Sequence, residues 1–333
     1  MTEDRRPLVS VRNLKKYFPV GQGPLDKLFG REALAVRAVD GVDFDLYPGE
    51  TLGLAGESGS GKTTTGRLVL RLLEPTDGTI LFDGQDITHL PERDLRPLRR
   101  RMQPIFQDPT ASLNPRMTIG QAIAHGLRIH QLAEDADDER RQVLDILAKV
   151  GLTPPEQFIN KYPHQLSGGQ RQRAVIARAL VLRPDLVVAD EPIAMADVSV
   201  RAVLLKLMRD LQKEFGLAYL FITHDLATAK YICDRIAVMY LGQIVEIGPL
   251  EQVYGNPRHP YTQALLAAVP VPDPDARRTQ PLPKGEIPSP IHPPAGCRFH
   301  PRCPIAEARC QKEPPRLRPV PGEPEHLVAC HLF

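Results

Sequence analysis

Gly56-Glu57-Ser58-Gly59-Ser60-Gly61-Lys62-Thr63 forms a complete G-x-x-x-x-G-K-[ST] phosphate loop, and this pattern constrains the chain more than any other feature it has. Glycines allow consecutive backbone N–H groups, here those of Ser58, Gly59, Ser60, Gly61 and the following Thr64, to curl around phosphate oxygens. Lys62 then reaches the terminal phosphates of ATP, and the Thr63 hydroxyl binds Mg²⁺. The flanks suit that role. Thr51-Leu52-Gly53-Leu54-Ala55 is a short apolar run fit for a buried strand, and Thr64 to Leu73 reads as a helix. A strand-loop-helix inside an α/β fold is therefore expected.

Further motifs follow in order. Phe106-Gln107-Asp108-Pro109 comes first, then Leu166-Ser167-Gly168-Gly169-Gln170, whose serine and two glycines open a helix with exposed N–H groups suited to an anion. Asp185 to Glu191 is an apolar strand ending in Asp190 and Glu191, which places two acids at the carboxyl end of a strand. Ile222-Thr223-His224-Asp225 closes a further apolar strand that starts at Leu217. Taken together, these five motifs in this order resemble the ATPases of ABC transporters.

The resemblance implies an ABC-type P-loop ATPase with a RecA-like core sheet, an antiparallel β subdomain and a helical signature subdomain over about residues 108–180. It implies that Asp190 joins Thr63 at Mg²⁺, that Gln107 offers its amide oxygen to Mg²⁺ or to the attacking water, and that Glu191 polarises that water as general base. His224 would donate to the γ-phosphate. Ser167, Gly168, Gly169 and Gln170 would contact ATP held on a partner subunit in a head-to-tail dimer. Phe18, or its neighbour Tyr17, ends the first expected strand, where the family commonly stacks an aromatic on adenine. One departure stands out: Ala194-Met195-Ala196 precedes Asp197 where the family has Ser-Ala-Leu. Asp197 is kept, so a repacked dimer contact is the favoured reading over altered communication between sites.

Size and charge bound the rest. The 333 residues suffice for one large domain plus an appendage, and a net charge of +2 with both signs interspersed supplies no field for nucleic acid. The basic cluster Arg93 to Arg101 reads as a solvated helix face or a subunit contact. No apolar run reaches the roughly 18 residues of a membrane helix, and the residues up to Pro7 lack a signal-peptide core, so a cytosolic protein is expected. Alternation over about residues 8–47, as in Val42 to Leu46, predicts antiparallel strands. Val143, Leu144, Leu147 and Val150 predict one helix face, and Val200, Val203, Leu204, Leu207, Met208 and Leu211 another.

Composition then changes: 18 of 34 prolines and four of five cysteines fall in the last 78 residues. A nucleotide-binding domain over 1–255 and a Cys-bearing domain over 256–333 are expected. Cys297, Cys303, Cys310 and Cys330 cluster, whereas Cys233 stands apart. In the cytosol such a cluster reads as metal ligands before disulfides, and its spacing leaves zinc and iron–sulfur both open. His292, His300, His326 and His331 are possible substitutes. Asn256 to Leu266, Gly285 to Pro290 and Cys297 to Pro304 resemble the carboxy-terminal region of oligopeptide and dipeptide importer ATPases, as do Lys15 to Val20 with its following insertion and Tyr162 to Leu166.

This narrower resemblance implies a [4Fe–4S] cluster on the four cysteines, and a motor subunit on the cytoplasmic face of the membrane. Its implied partners are a paralogous ATPase, two integral membrane permease subunits docking near Gln107 and Ala111 to Pro115, and an extracytoplasmic peptide-binding protein. Nickel or another solute could use the same motor. Rival readings are a soluble ATPase of a multienzyme assembly, of the carbon–phosphorus lyase accessory type, and a regulatory module sensing iron or redox state.

Overall fold

The computed structural model describes residues 6–21, 34–269 and 285–333. The expected insertion after Val20 lies largely outside the described residues, as does most of the segment preceding Pro7. The chain begins with β1 (Val9–Pro19), β2 (Ala35–Leu46), β3 (Thr51–Ala55), α1 (Lys62–Val69), β4 (Asp77–Phe82) and β5 (Gln85–Asp86). Helix α2 (Glu92–Arg101) and β6 (Met102–Ile105) lead into α3 (Pro109–Ser112), α4 (Ile119–His130), α5 (Ala136–Lys149), α6 (Pro155–Ile159) and α7 (Gly168–Leu180). Next come β7 (Leu186–Asp190), α8 (Val198–Phe215), β8 (Ala218–Thr223), α9 (Leu226–Ile232), β9 (Arg235–Tyr240) and β10 (Gln243–Pro249). Helices α10 (Leu250–Gly255) and α11 (Pro260–Ala267) and strands β11 (Arg318–Val320) and β12 (Glu323–Val328) complete the order.

Contacts divide the chain into two compact units. The first is built on residues 89–221, with 46–51 and the segment up to Leu8. Its strands β8, β7 and β6 are neighbours, and β7 runs parallel to β6 with Met102 opposite Leu186. Every β7 residue is buried, as expected of a parallel strand covered on both faces. The helical arm forms because its ends are capped. Thr118 and Gln121 make a reciprocal box at the start of α4, and the Asp135 carboxylate accepts from Asp138 N–H at 2.8 Å to open α5.

Helix α5 buries Val143, Ile146 and Leu147, so the expected face is shifted toward Ile146, and Leu144 is only half-buried. Helix α8 buries Leu204, Leu205, Met208 and Leu211, whereas Val203 is 50% exposed and does not belong to the stripe. In α2 only Leu95 is buried, and Arg99 pairs with Glu92 at 2.7 Å, which agrees with a solvated basic face.

The second unit comprises residues 9–45, 52–88 and 222–333. Here β2-β1-β4-β5 form one antiparallel-rich sheet, while β11-β12-β10-β9-β3 run in order through another. Strand β3 is parallel to β9, with Leu54 opposite Ala237, and β10 is antiparallel to both β9 and β12. Gly53 in β3 has to be glycine, since a Cβ there would lie 2.7 Å from the buried Cys233 Sγ. That contact, and burial that raises the Cys233 thiol pKa, mark it as a packing residue.

A buried ionic staple fastens β12 to β10. His326 Nε2 lies 2.7 Å from Glu246 Oε1 and His326 Nδ1 lies 2.7 Å from Glu323 Oε2. A neutral imidazole has one N–H, so filling both bonds needs the protonated ring. Burial opposes that charge, but the two carboxylates outweigh it and raise the His326 pKa above 6.5. Glu246 also accepts from the N–H groups of Arg258 and His259, at 2.7 and 3.0 Å. Because the folded pKa is raised, the stability from this group is complete below about pH 6.5 and is lost as pH rises through the folded value. Urea unfolding of the full chain and of His326→Gln on both sides of that window should show the difference between them shrinking at alkaline pH. A constant difference would contradict the charged staple.

Candidate functional site

The second unit carries the phosphate loop. Strand β3 ends at Ala55, and the chain turns through Gly56, Gly59 and Gly61, with φ of 151°, 77° and 106°, before entering α1. Side chains are excluded as well as strained here. A Cβ on Gly56 would lie 2.2 Å from the Met239 carbonyl oxygen, and one on Gly61 2.2 Å from that of Ala38. The loop therefore rests against backbone on two sides. Buried Lys62 spans its interior, donating from Nζ to the carbonyls of Gly56 and Glu57 at 2.8 Å each, with Ser60 Oγ at 3.4 Å. Ser58 and Gly59 are exposed at the mouth, and Thr63 and Thr64 sit half-buried in the first turn of α1. The arrangement aims helix N–H groups and an ammonium at one anion site.

His224 is exposed just beyond β8. The next residue, Asp225, caps α9, accepting from Ala227 N–H at 2.9 Å and from the Thr228 hydroxyl at 2.7 Å, which fixes the backbone on which His224 stands. Phe18 is 36% exposed near the end of β1, with Lys16 Nζ 5.2 Å from its ring centroid, so it is not a core aromatic. Tyr17 instead donates its hydroxyl to Asp40. Burial and that bond push the Tyr17 pKa up to about 12.

The first unit carries the remaining motifs. Asp190 ends β7 buried, and Glu191 follows with φ of 46°, a left-handed backbone that a non-glycine residue adopts at a cost. Gln107 Nε2 donates to Glu191 Oε2 at 2.8 Å, so two residues 84 positions apart meet. Ser167 N-caps α7, accepting from Gln170 N–H at 3.3 Å, while Gln170 Oε1 accepts from Ser167 N–H at 3.0 Å. The serine and glutamine thus hold the helix start, leaving Gly168 exposed with nothing within 4 Å of a notional Cβ. Helix α7 also grips the segment after Gln107, through Arg171 to Thr110 Oγ1 at 3.3 Å and Arg178 to the Ser112 carbonyl. Asp197 stands exposed at the N-cap of α8, and Met195 before it is 66% exposed.

Cys297, Cys303, Cys310 and Cys330 line one small cavity with His259, Phe299, His300 and His331. Cys297 N–H donates to the Cys310 carbonyl at 2.8 Å. Burial pushes the Cys297 thiol up to about 11, with the neighbouring thiolates adding to the shift, and Cys303 and Cys330 are raised for the same first reason. Among the described residues, no group of three or more His, Cys, Asp or Glu side chains is gathered as a metal-ion site. Of the histidines expected near the cysteines, His300 and His331 line the cavity. His326 does not, because it is bound to Glu246 and Glu323. His259, unnoticed in the sequence, does line it, and burial keeps that ring neutral by lowering its pKa to about 4.

Residues 39–194 match the family described as ABC transporter, and residues 245–310 match the oligopeptide/dipeptide transporter C-terminal region. The chain is 48% identical over 333 residues to the oligopeptide transport ATP-binding protein AppF of Bacillus subtilis, covering 99% of this chain and 98% of that one. It is 47% identical over 330 residues to the oligopeptide transport ATP-binding protein OppF of Salmonella typhimurium, covering 98% and 97%. Among solved structures, the dimeric post-hydrolysis state of the ATP-binding cassette MJ0796 with ADP and Pi aligns at TM-score 0.63 and 28% identity, covering 73% of this chain and 98% of that one. The structure of cbiO1 from Clostridium perfringens aligns at TM-score 0.64 and 27% identity, covering 75% and 91%. No helix among the described residues is long and apolar enough to cross a membrane.

Gly61→Ala should lower stability by roughly 1–3 kcal/mol, the range for a strained backbone position, and should weaken MgATP binding by displacing the loop. Denaturant unfolding with nucleotide titration checks both; a variant matching the parent in each would refute the steric account.

Proposed function

The chain belongs to the ATP-binding subunits of ABC transporters, and on that basis we propose that it hydrolyses ATP at the cytoplasmic face of a membrane to drive uptake of di- and oligopeptides. The similarity of residues 245–310 to the oligopeptide/dipeptide transporter region supports this cargo class, and the full-length relatives do not favour a soluble multienzyme role. In this reading residues 1–255 are the nucleotide-binding domain, with a helical subdomain over about 108–180, and residues 256–333 are an importer-type C-terminal domain.

Residue roles follow from chemistry. Ser58, Gly59, Ser60, Gly61, Lys62, Thr63 and Thr64 cradle the phosphates, and Phe18, exposed at its strand end, stacks on adenine. Thr63, Gln107 and Asp190 hold Mg²⁺, which neutralises phosphate charge. Glu191 takes a proton from the water as its oxygen attacks the γ-phosphorus, ADP leaves, and His224 donates to the phosphate oxygen that gains charge. The observation that carries the assignment is the Gln107–Glu191 bond, which brings together the residue we assign to Mg²⁺ and the one we assign as base. Ser167 to Gln170 present the α7 amino terminus to ATP on a paralogous subunit, with Asp197 and exposed Met195 at the contact. Two integral permease subunits dock near Gln107 and exposed Ala111, Asn114 and Pro115, and an extracytoplasmic binding protein delivers the peptide.

Because the four cysteines line one cavity, we read them as ligands of a [4Fe–4S] cluster rather than of zinc. A single zinc needs its thiolates about 2.3 Å from one point, whereas an iron–sulfur cluster spreads four cysteines around a larger inorganic core. Such a cluster would supply positive charge beside Cys297, Cys303 and Cys330, whose thiol pKa values burial raises.

Reconstituted with permease subunits and binding protein, the complex should take up peptide with ATP. Glu191→Gln should cut kcat by about 10²–10⁴-fold while retaining MgATP. Hydrolysis by that variant at the parent rate would remove the base assignment, and uptake of another solute but no peptide would remove the cargo. Anaerobic purification should yield iron and acid-labile sulfide in a fixed ratio to chain, lost in Cys303→Ser. Zinc in their place, or no metal, would overturn the cluster.

A further inference from the structure

Glu57, the second residue of the phosphate loop, is tied down from three directions. Its carbonyl accepts from Lys62 Nζ at 2.8 Å, its N–H donates to the Tyr261 hydroxyl at 2.9 Å, and its carboxylate meets the fork of Arg302. Arg302 Nη1 lies 3.0 Å from Oε2 and Nη2 3.3 Å from Oε1. Two parallel donors fix orientation as well as distance, and the Arg302 side chain is 8% exposed against 30% for Glu57, so solvent screens the pair only partly. The loop's chemistry asks nothing of a side chain at this position, since backbone groups do the cradling.

Both anchors belong to the segment that surrounds the four-cysteine cavity. Tyr261 lies in the first turn of α11, and Arg302 directly precedes Cys303. Tyr240, Tyr261 and Phe299 pack with ring centroids 4.6 to 5.4 Å apart, and the Arg302 guanidinium lies 5.8 Å from the Tyr240 ring and 5.9 Å from that of Phe299. Phe299 lines the cavity itself, and Cys297 and Cys303 pack against the same apolar cluster. The five residues between those cysteines are a tight turn: His300 N–H donates to Cys297 O at 3.0 Å and Arg302 N–H to Phe299 O at 2.9 Å.

A second arginine in that turn reaches the opposite support of the loop. Buried Arg298 donates to the Leu241 carbonyl and pairs with Asp40. Burial would raise the Asp40 pKa, but the Tyr17 hydroxyl, Arg298 and Arg37 hold it below the usual carboxylate range. Asp40 N–H donates to the Gly242 carbonyl at 2.8 Å, and Gly242 N–H donates to the Ser60 carbonyl at 2.8 Å. One short turn between two cysteines therefore grips the phosphate loop at Glu57 and its backing at Asp40 in β2 and at Leu241 in the turn from β9 to β10.

We infer that Arg302 and Tyr261 are positioning residues of the phosphate loop, and that through them the state of the four-cysteine cavity sets this chain's affinity for ATP. The cavity's metal occupancy belongs to the function proposed above; the brace on Glu57 does not depend on it. A turn this short cannot shift Cys297 and Cys303 without moving Arg302, and Arg302 cannot move without releasing Glu57, whose carbonyl holds Lys62. Such coupling is reciprocal, so bound nucleotide strengthens the cysteine site to the same degree.

The test is equilibrium binding of a non-hydrolysable ATP analogue with Mg²⁺ to the full chain, with melting followed in parallel. Tyr261→Phe and Arg302→Gln should each raise Kd by about fivefold or more, the lower range of site-to-site coupling, and Arg302→Lys should recover part of the loss. Glu57→Gln with Arg302→Gln should be no worse than the weaker single variant, while Arg309→Ala, at an exposed pair with Glu313, should bind as the parent does. If Arg302→Gln fails to fold, Tyr261→Phe decides alone, because its ring stays in place. A folded Tyr261→Phe with Kd within about twofold of the parent overturns the brace.

Cys303→Ser should raise Kd in the parent and add nothing in the Arg302→Gln background. Equal shifts in both backgrounds would overturn the route through Arg302. Unchanged iron and zinc content in Cys303→Ser would sink the cysteine-site reading and leave the brace to be judged on Tyr261→Phe.

Discussion

The phosphate loop depends on backbone lying where no side chain can fit. Gly56 and Gly61 face the carbonyls of Met239 and Ala38 at separations that a Cβ would reduce to 2.2 Å, so β9 and β2 act as the walls of a mould for the loop. Strand β3 must be parallel to β9 and buried throughout to deliver the chain into that mould. The Cys233 sulfur leaves no room for a side chain on Gly53, and Lys62 closes the loop from within by bridging two of its carbonyls. An ammonium held by dipoles in a partly buried site is aimed before any phosphate arrives, which is how a flexible side chain gives a defined contact.

The carboxy-terminal residues join this scaffold by charge as much as by apolar contact. His326 between two carboxylates fastens β12 to β10, and Arg298 and Arg302 reach from one turn to Asp40 and Glu57. Each is a buried or half-buried charge with its partner in place, so removing one member leaves the other uncompensated. These links make the Cys-bearing segment part of the same compact unit as the phosphate loop.

Much of the motif set was legible because each motif is local. A loop of glycines and one lysine, two acids at a strand end, and a serine with two glycines opening a helix each encode their own geometry. The helix opened by Ser167 and the Thr51–Ala55 strand fall where spacing put them, whereas the Ser167–Gln170 box emerged only in the structure. Periodicity was less exact: Ile146 and Leu205 are buried where they went unnoticed, and Val203 faces outward, because the neighbour a helix packs on sets which edge of the stripe is covered.

Tyr261, Arg302 and His259 were not legible. Each is ordinary in its own segment and acquires meaning from partners far along the chain, 204 positions away for Tyr261 and 245 for Arg302. The four cysteines could be counted from the sequence, but their convergence on one cavity comes from the turn at His300–Arg302 and the return of the chain along β12. The sequence alone determined the chemistry of the loop, since phosphate binding is written in consecutive backbone groups. Only the tertiary structure decided that the cysteine-bearing turn holds that loop, since long-range side-chain pairs are created by packing and leave no periodic mark on the chain.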